Sequence, residues 1–132
     1  MSREIKFRVW DGTRNEMRQG VNILICSHTG RPQWQHGYNE PEPMHDAKLL
    51  QFTGLKDANG VEIYEGDIVR LGDNPIHEGT LVECQFSQSR AQWIYSFLTG
   101  QHKGKATDMV DTWRSYTIVG NIFENPELAE AA

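Results

Sequence analysis

The sequence predicts a mainly β chain of short strands, and three observations carry that expectation. Apolar and polar residues alternate with period two in several short windows, turn residues separate those windows, and no long window keeps a period of 3.6. That combination fits a small sandwich or barrel with additional strands and long loops. With 132 residues and a hydrophobic share of 38%, the chain can bury one core, so a single domain over 1–132 is expected.

Ile5-Lys6-Phe7-Arg8-Val9-Trp10 alternates strictly, with Ile5, Phe7 and Val9 on one face and Lys6, Arg8 and Trp10 on the other. Asp11-Gly12 follows, a hairpin signal because both residues tolerate positive φ, so Glu16 to Gln19 is expected to return as a paired strand. Val21 to Ile25 is β-rich. From His28 to Asp46, Gly30, Pro32, Gly37, Asn39, Pro41 and Pro43 argue against any ladder, and a long exposed polar loop over 28–46 is expected.

Lys48 to Thr53 resumes strand character, and Asp57-Ala58-Asn59-Gly60 turns the chain into Val61 to Tyr64. Glu65-Gly66-Asp67 turns it again into Ile68 to Leu71, and Gly72 to Pro75 ends that strand. Gly permits such a bend and Asp can accept backbone N–H groups, a turn-into-strand found in small SH3-like barrels. Val82, Cys84 and Phe86 then share a face, Ala91, Trp93, Tyr95 and Phe97 alternate in the same manner, and the aromatics from Trp93 to Phe97 are expected in the core. Thr99 to Asp108 reads as a polar loop, Met109 to Trp113 could hide a helix, and Ser115 to Phe123 is the last strand. Asn125-Pro126 stops it, because proline cannot donate to a ladder. Residues 127–132 either start a helical turn or fray.

Three blocks of this sequence resemble the YopX family of phage and prophage proteins. They are Phe7 to Asp11, then Gln51 to Val69, and finally Val119 to Leu128, with Gly54, Gly60, Tyr64, Gly66, Asp67, Gly120, Asn121, Asn125 and Pro126 as the structural positions. The resemblance implies a mostly β fold with an SH3-like barrel element, self-association, and a setting in the bacterial cytoplasm during phage or prophage gene expression. It implies no catalytic residues.

No motif raises a catalytic or cofactor reading above its structural alternative. Glu62, Glu65 and Asp67 could suggest a metal cluster or an acid/base pair, but an Asp in a Gly turn more often caps backbone donors. His28, His36 and His45 lack zinc-module spacing, and Ser87, Ser89, Ser96 and Ser115 lack a nucleophile context. Cys26 and Cys84 read as buried free thiols of a reducing compartment. Neither an export signal nor a membrane span is expected.

Interaction is the remaining chemistry. Trp10 and Arg8 are either cross-strand partners or half of an exposed aromatic-basic patch. Trp34, in a polar loop, has no periodic reason to be buried and suggests a subunit or partner contact, against docking on its own core. Lys103 and Lys105 belong to the one locally basic stretch, Gly100 to Lys105, an exposed loop that could touch phosphates. The formal charge of −5, with acids read as dispersed, disfavours nucleic acid and anionic membrane. The expected function is therefore a non-enzymatic, homo-oligomeric interaction module with an unknown protein partner. A nucleic-acid-binding small barrel is the alternative, and a metal-dependent hydrolase ranks last.

Overall fold

A computed structural model of the chain describes residues 4–20, 23–35, 37–72, 79–108 and 116–130. The sequence features at Val21, Asn22, His36, Asp73 to Pro75, Met109 to Trp113, Ser115 and Ala131 to Ala132 lie outside them. Two compact units make up the fold, one of residues 5–51 and one of residues 52–132 with the first four residues. The chain is mainly β, as its alternation predicts, and no helix among the described residues is long and apolar enough to cross a membrane.

In the unit of residues 5–51, β1 (Phe7–Asp11) pairs antiparallel with β2 (Glu16–Arg18), setting Asp11 opposite Glu16. The Asp11-Gly12 hairpin therefore forms, but not for the reason its sequence suggests. Asn15, at φ 54°, takes the left-handed position. Gly12 is required because a Cβ there would lie 2.5 Å from Asp46 Oδ2 and 2.6 Å from the Asp46 carbonyl, which accepts the Gly12 N–H at 2.8 Å. On its other side β1 pairs with the first half of β6 (Ala47–Lys56), from Phe7 opposite Gln51 to Asp11 opposite Ala47. Val9, fully buried, anchors that pairing.

The expected loop over 28–46 is not a loop throughout. β3 (Ile23–Ile25), β4 (Pro32–Trp34) and β5 (Glu42–Pro43) form a three-stranded antiparallel sheet, with Ile23 opposite Trp34 and Trp34 opposite Glu42. Ladders of two or three residues fit between the prolines. Pro32 opens β4 and Pro43 closes β5, the ends at which a missing N–H costs a ladder least.

In the other unit, the second half of β6 pairs with β7 (Glu62–Tyr64) across a register shift between Phe52 and Lys56. Gly54, at φ 91°, lies in that shift, and Thr53 Oγ1 closes it by donating to the Ile63 carbonyl and accepting the Leu55 N–H. β8 (Asp67–Arg70), β9 (Leu81–Ser87), β10 (Gln92–Phe97), β11 (Ala106–Asp108) and β12 (Thr117–Asn121) form a curled antiparallel sheet in the order β11-β10-β9-β8-β12. This is the barrel-like element of the fold.

Period two sets its core. Val82 faces Phe97, Cys84 faces Tyr95 and Phe86 faces Trp93 across the β9–β10 ladder. Val82, Cys84, Tyr95 and Phe97 pack with Ile63, Val69, Leu71 and Tyr116. Ile68, on the opposite face of β8 from Val69, is also fully buried, so this strand is covered on both sides at that point. The expected final strand stops at Asn121, and α1 (Pro126–Glu130) follows as the short helix that residues 127–132 allowed. Pro126 takes the first helical position, where its missing N–H would be unpaired in any residue.

Candidate functional site

The motif residues of the larger unit are scaffold in their geometry. The Asp57 carboxylate accepts the N–H groups of Asn59 and Val61 at 2.9 Å each and that of Ile118 at 3.0 Å. Gly60, at φ 82°, completes the turn. Asp67, buried, accepts the Tyr64 N–H at 2.8 Å, and the Tyr64 ring lies 5.5 Å from that of Phe52. Gly66 between them has φ 89°, and an added Cβ would lie 2.8 Å from Phe123 Cε2. Its N–H donates to the Cys84 carbonyl and its carbonyl accepts the Ile122 N–H.

Asn121 repeats the device. Its Oδ1 accepts the N–H groups of Phe123 and Glu124, while Asn125 Oδ1 accepts the Asn121 N–H at 3.2 Å. Gly120 leaves room for that amide, since a Cβ would lie 2.5 Å from Asn125 Oδ1. Glu62 and Glu65 are half-buried and Asp67 is committed to the bend. Among the described residues no three His, Cys, Asp or Glu side chains are grouped so as to hold a metal ion.

The cysteines differ from each other. Cys84 is buried opposite Tyr95, as expected, whereas Cys26 is only half-buried in the turn after β3. A hydrogen bond from the Thr29 side chain holds the Cys26 thiol below its ordinary pKa. Burial pushes the Tyr95 hydroxyl well above the usual phenol range, with Cys84, Tyr116 and Asp67 adding to it, so it stays protonated.

The interaction residues fall in different units. Trp10 and Arg8 are half-buried, Trp10 opposite Met17 and Lys48 and Arg8 opposite Leu50. Lys103 and Lys105 are exposed on the β10–β11 turn, beside His102, whose ring lies 5.7 Å from that of Phe97. The formal charge divides unevenly between the two ranges. Residues 5–51 hold six Lys and Arg against five Asp and Glu, a formal +1, and residues 52–132 hold six against twelve, a formal −6. Repulsion of anions is therefore a property of the second unit alone.

Trp34 stands at the most differentiated place on the first unit. The Arg18 guanidinium lies 4.3 Å from the Trp34 ring centroid, a cation–π contact. Arg18 also pairs with Asp11 Oδ2 at 3.2 Å and with Glu16 Oε1 at 2.8 Å. Asp11 Oδ1 accepts the N–H groups of Thr13 and Arg14, so the carboxylate organises the hairpin and neutralises Arg18 together. Sequence reasoning assigned Arg18 no role. Its signal was geometric: once Asp11 opposes Glu16, Arg18 is the diagonal neighbour of Asp11 on the same face. A groove of about 340 Å³ runs past this pair, its lining including Trp34, Glu42, Pro43, Met44, Arg14 and His45.

A second feature of this unit is its edge. Among the described residues β3 pairs with β4 alone, and Leu24 and Ile25 on it are 39% and 37% exposed. Tyr38, in the turn between β4 and β5, is wholly exposed.

The fold and this surface define a mainly β protein with short antiparallel sheets, whose distinctive exposed groups are aromatic and apolar. The family model described as YopX protein matches residues 6–130, and the chain belongs to the YopX family. Protein EF1440 from Enterococcus faecalis, a solved structure, is similar at 26% identity and TM-score 0.61, over 97% of this chain and 99% of that one. The yopX protein from Bacillus subtilis is similar in fold at 22% identity and TM-score 0.57, over 92% of this chain and 95% of its own. No curated protein matches.

Proposed function

We propose that this protein is a non-enzymatic interaction module that works as a homo-oligomer, with the β3 edge as the contact between copies. One observation carries the reading: among the described strands β3 is the edge without charge, proline or bulge, although its Ile23 N–H already donates to the Gly20 carbonyl. An outer strand is a template for another strand, and proteins ordinarily blunt it with charge, proline or a bulge. β2 has Glu16 and Arg18, β5 has Glu42 and Pro43, β7 has Glu62, β11 has Asp108, and β12 has a bulge between Ile118 and Gly120. Ile23-Leu24-Ile25 has none of these.

Antiparallel pairing of this strand with its twin sets Ile23 against Ile25 and Leu24 against Leu24, with no like charges opposed. The commitment of Asp57, Asp67 and Asn121 to backbone donors supports a role without bond chemistry. Action inside bacteria during phage or prophage growth is part of the same reading, and the bacterial source of both solved relatives fits it.

Sedimentation across a hundredfold concentration range tests it. The expected result is an assembly larger than a monomer, with a smaller mass for Leu24→Lys. A wild-type monomer at every concentration, or an unchanged mass for Leu24→Lys, would overturn it.

A further inference from the structure

Three facts about the unit of residues 5–51 remain without a use after the edge is assigned. The first is Tyr38, a wholly exposed aromatic residue on the turn between β4 and β5. An aromatic side chain with no cover is costly in water, yet this one sits on a braced support: Gln35 Nε2 donates to the Gly37 carbonyl at 3.0 Å and to the Asn39 carbonyl, holding the turn from both sides of Tyr38. Glu40 follows two residues later and is exposed.

The second is the groove beside Trp34. Its volume, about 340 Å³, suits one large side chain rather than a helix or a strand. Trp34, Pro43 and Met44 give it apolar surface, and Glu42 and Thr13, whose hydroxyl already donates to the His45 carbonyl, add polar atoms to the same lining. A phenol needs that combination, an apolar slot for the ring and a polar end for the hydroxyl.

The third is Arg14. Arg18, its neighbour in the groove, is committed to Asp11, Glu16 and Trp34, but among the described residues the Arg14 guanidinium has no ion-pair partner. Glu40 likewise has none among them.

We infer that Tyr38 of one copy inserts into the Trp34 groove of a second copy, with Glu40 of the first pairing with Arg14 of the second. This rests on the self-association proposed above and adds a contact separate from the β3 edge. Aromatic ring meets apolar wall, and the exposed acid meets the exposed base. Under two-fold symmetry each copy supplies one hook and one groove, so the contact closes on itself instead of growing into a fibre.

The hook is tested in the Leu24→Lys protein, where edge pairing is removed and both hook and groove are untouched. With both contacts present the wild type is expected to be larger than a dimer, and the Leu24→Lys protein is expected to fall to a dimer. Adding Arg14→Glu or Glu40→Arg opposes like charges in each homodimer and is expected to weaken association at least tenfold. Mixing these two double variants in equal amounts restores an opposite-charge pair at both contacts, and association within about threefold of the parent is expected. Tyr38→Ala should also weaken it tenfold or more. A Leu24→Lys protein that is already monomeric, while the wild type assembles, overturns the hook and leaves the homo-oligomer standing. Dimers indifferent to both charge reversals, or no recovery on mixing, also overturn the hook. A wild type that never assembles removes both proposals.

Discussion

Asp57 Oδ2 accepts the amide N–H of Ile118, 61 positions further along the chain, at 3.0 Å. The same carboxylate holds the local turn through Asn59 and Val61, so one buried side chain both shapes a reversal and ties it to β12. Next to it, the Ala58 N–H donates to the Tyr116 carbonyl at 2.9 Å, which makes this a seam rather than a single bond.

Asp57→Ala strips three backbone donors of their acceptor. A loss of about 2–4 kcal/mol is expected, since a hydrogen bond to a charged group contributes roughly 1.5–3 kcal/mol and stranded donors add desolvation. Asp57→Asn keeps one acceptor but turns an NH₂ toward a donor, and about 1–2 kcal/mol should go. Urea unfolding midpoints at unchanged slope would measure both. Two variants as stable as the parent would mean that the turn holds itself.

At Gly66 two costs coincide, the left-handed backbone at φ 89° and the approach of Phe123. Gly66→Ala is expected to lose about 2–4 kcal/mol, of which roughly 1–2 is backbone strain and the rest overpacking. A double-mutant cycle with Phe123→Ala separates them, because truncating the ring relieves the clash and leaves the strain. Full recovery in the double variant would show that the backbone there costs nothing.

Glu83 carries the expected pH dependence. Burial raises its pKa, against a smaller opposing effect of the Gln85 side chain, because its cross-strand neighbour Ile68 is on a covered face. A folded-state pKa above the unfolded one means that Glu83 costs nothing at acid pH, where it is protonated in both states. Stability is then lost as pH rises through the raised folded value. Glu83→Gln should therefore match the parent near pH 3.5 and melt about 2 °C higher at neutral pH, a modest gain because the group is partly solvated. A gain of equal size at both pH values would refute the desolvation account.

How much of this was legible in the sequence depended on the range of the forces involved. β9 and β10 could be read because period two fixes their faces locally, and the pairs Val82–Phe97 and Cys84–Tyr95 follow from it. The Asp57 to Gly60 turn could be read because Asx and Gly chemistry is local too. The sheet of β3, β4 and β5 could not, because prolines at strand ends look the same as prolines that forbid strands. Nor could Arg18 be linked to Trp34, since one is on β2 and the other on β4 of a different sheet, and their approach requires both sheets to be in place. The net charge hid the most, because a whole-chain sum erased the contrast between +1 and −6.

An open rim made only of isoleucine and leucine has no way of telling its twin from any other extended chain. On the proposed pairing, an unpaired Ile23 to Ile25 is equally available to a half-made neighbour on the ribosome or to a fragment of a damaged protein. Yield in a cell should then depend on how fast the protein is made relative to how fast the proposed pairing covers this strand. Slow, cool synthesis would favour the right match over fibrous deposits.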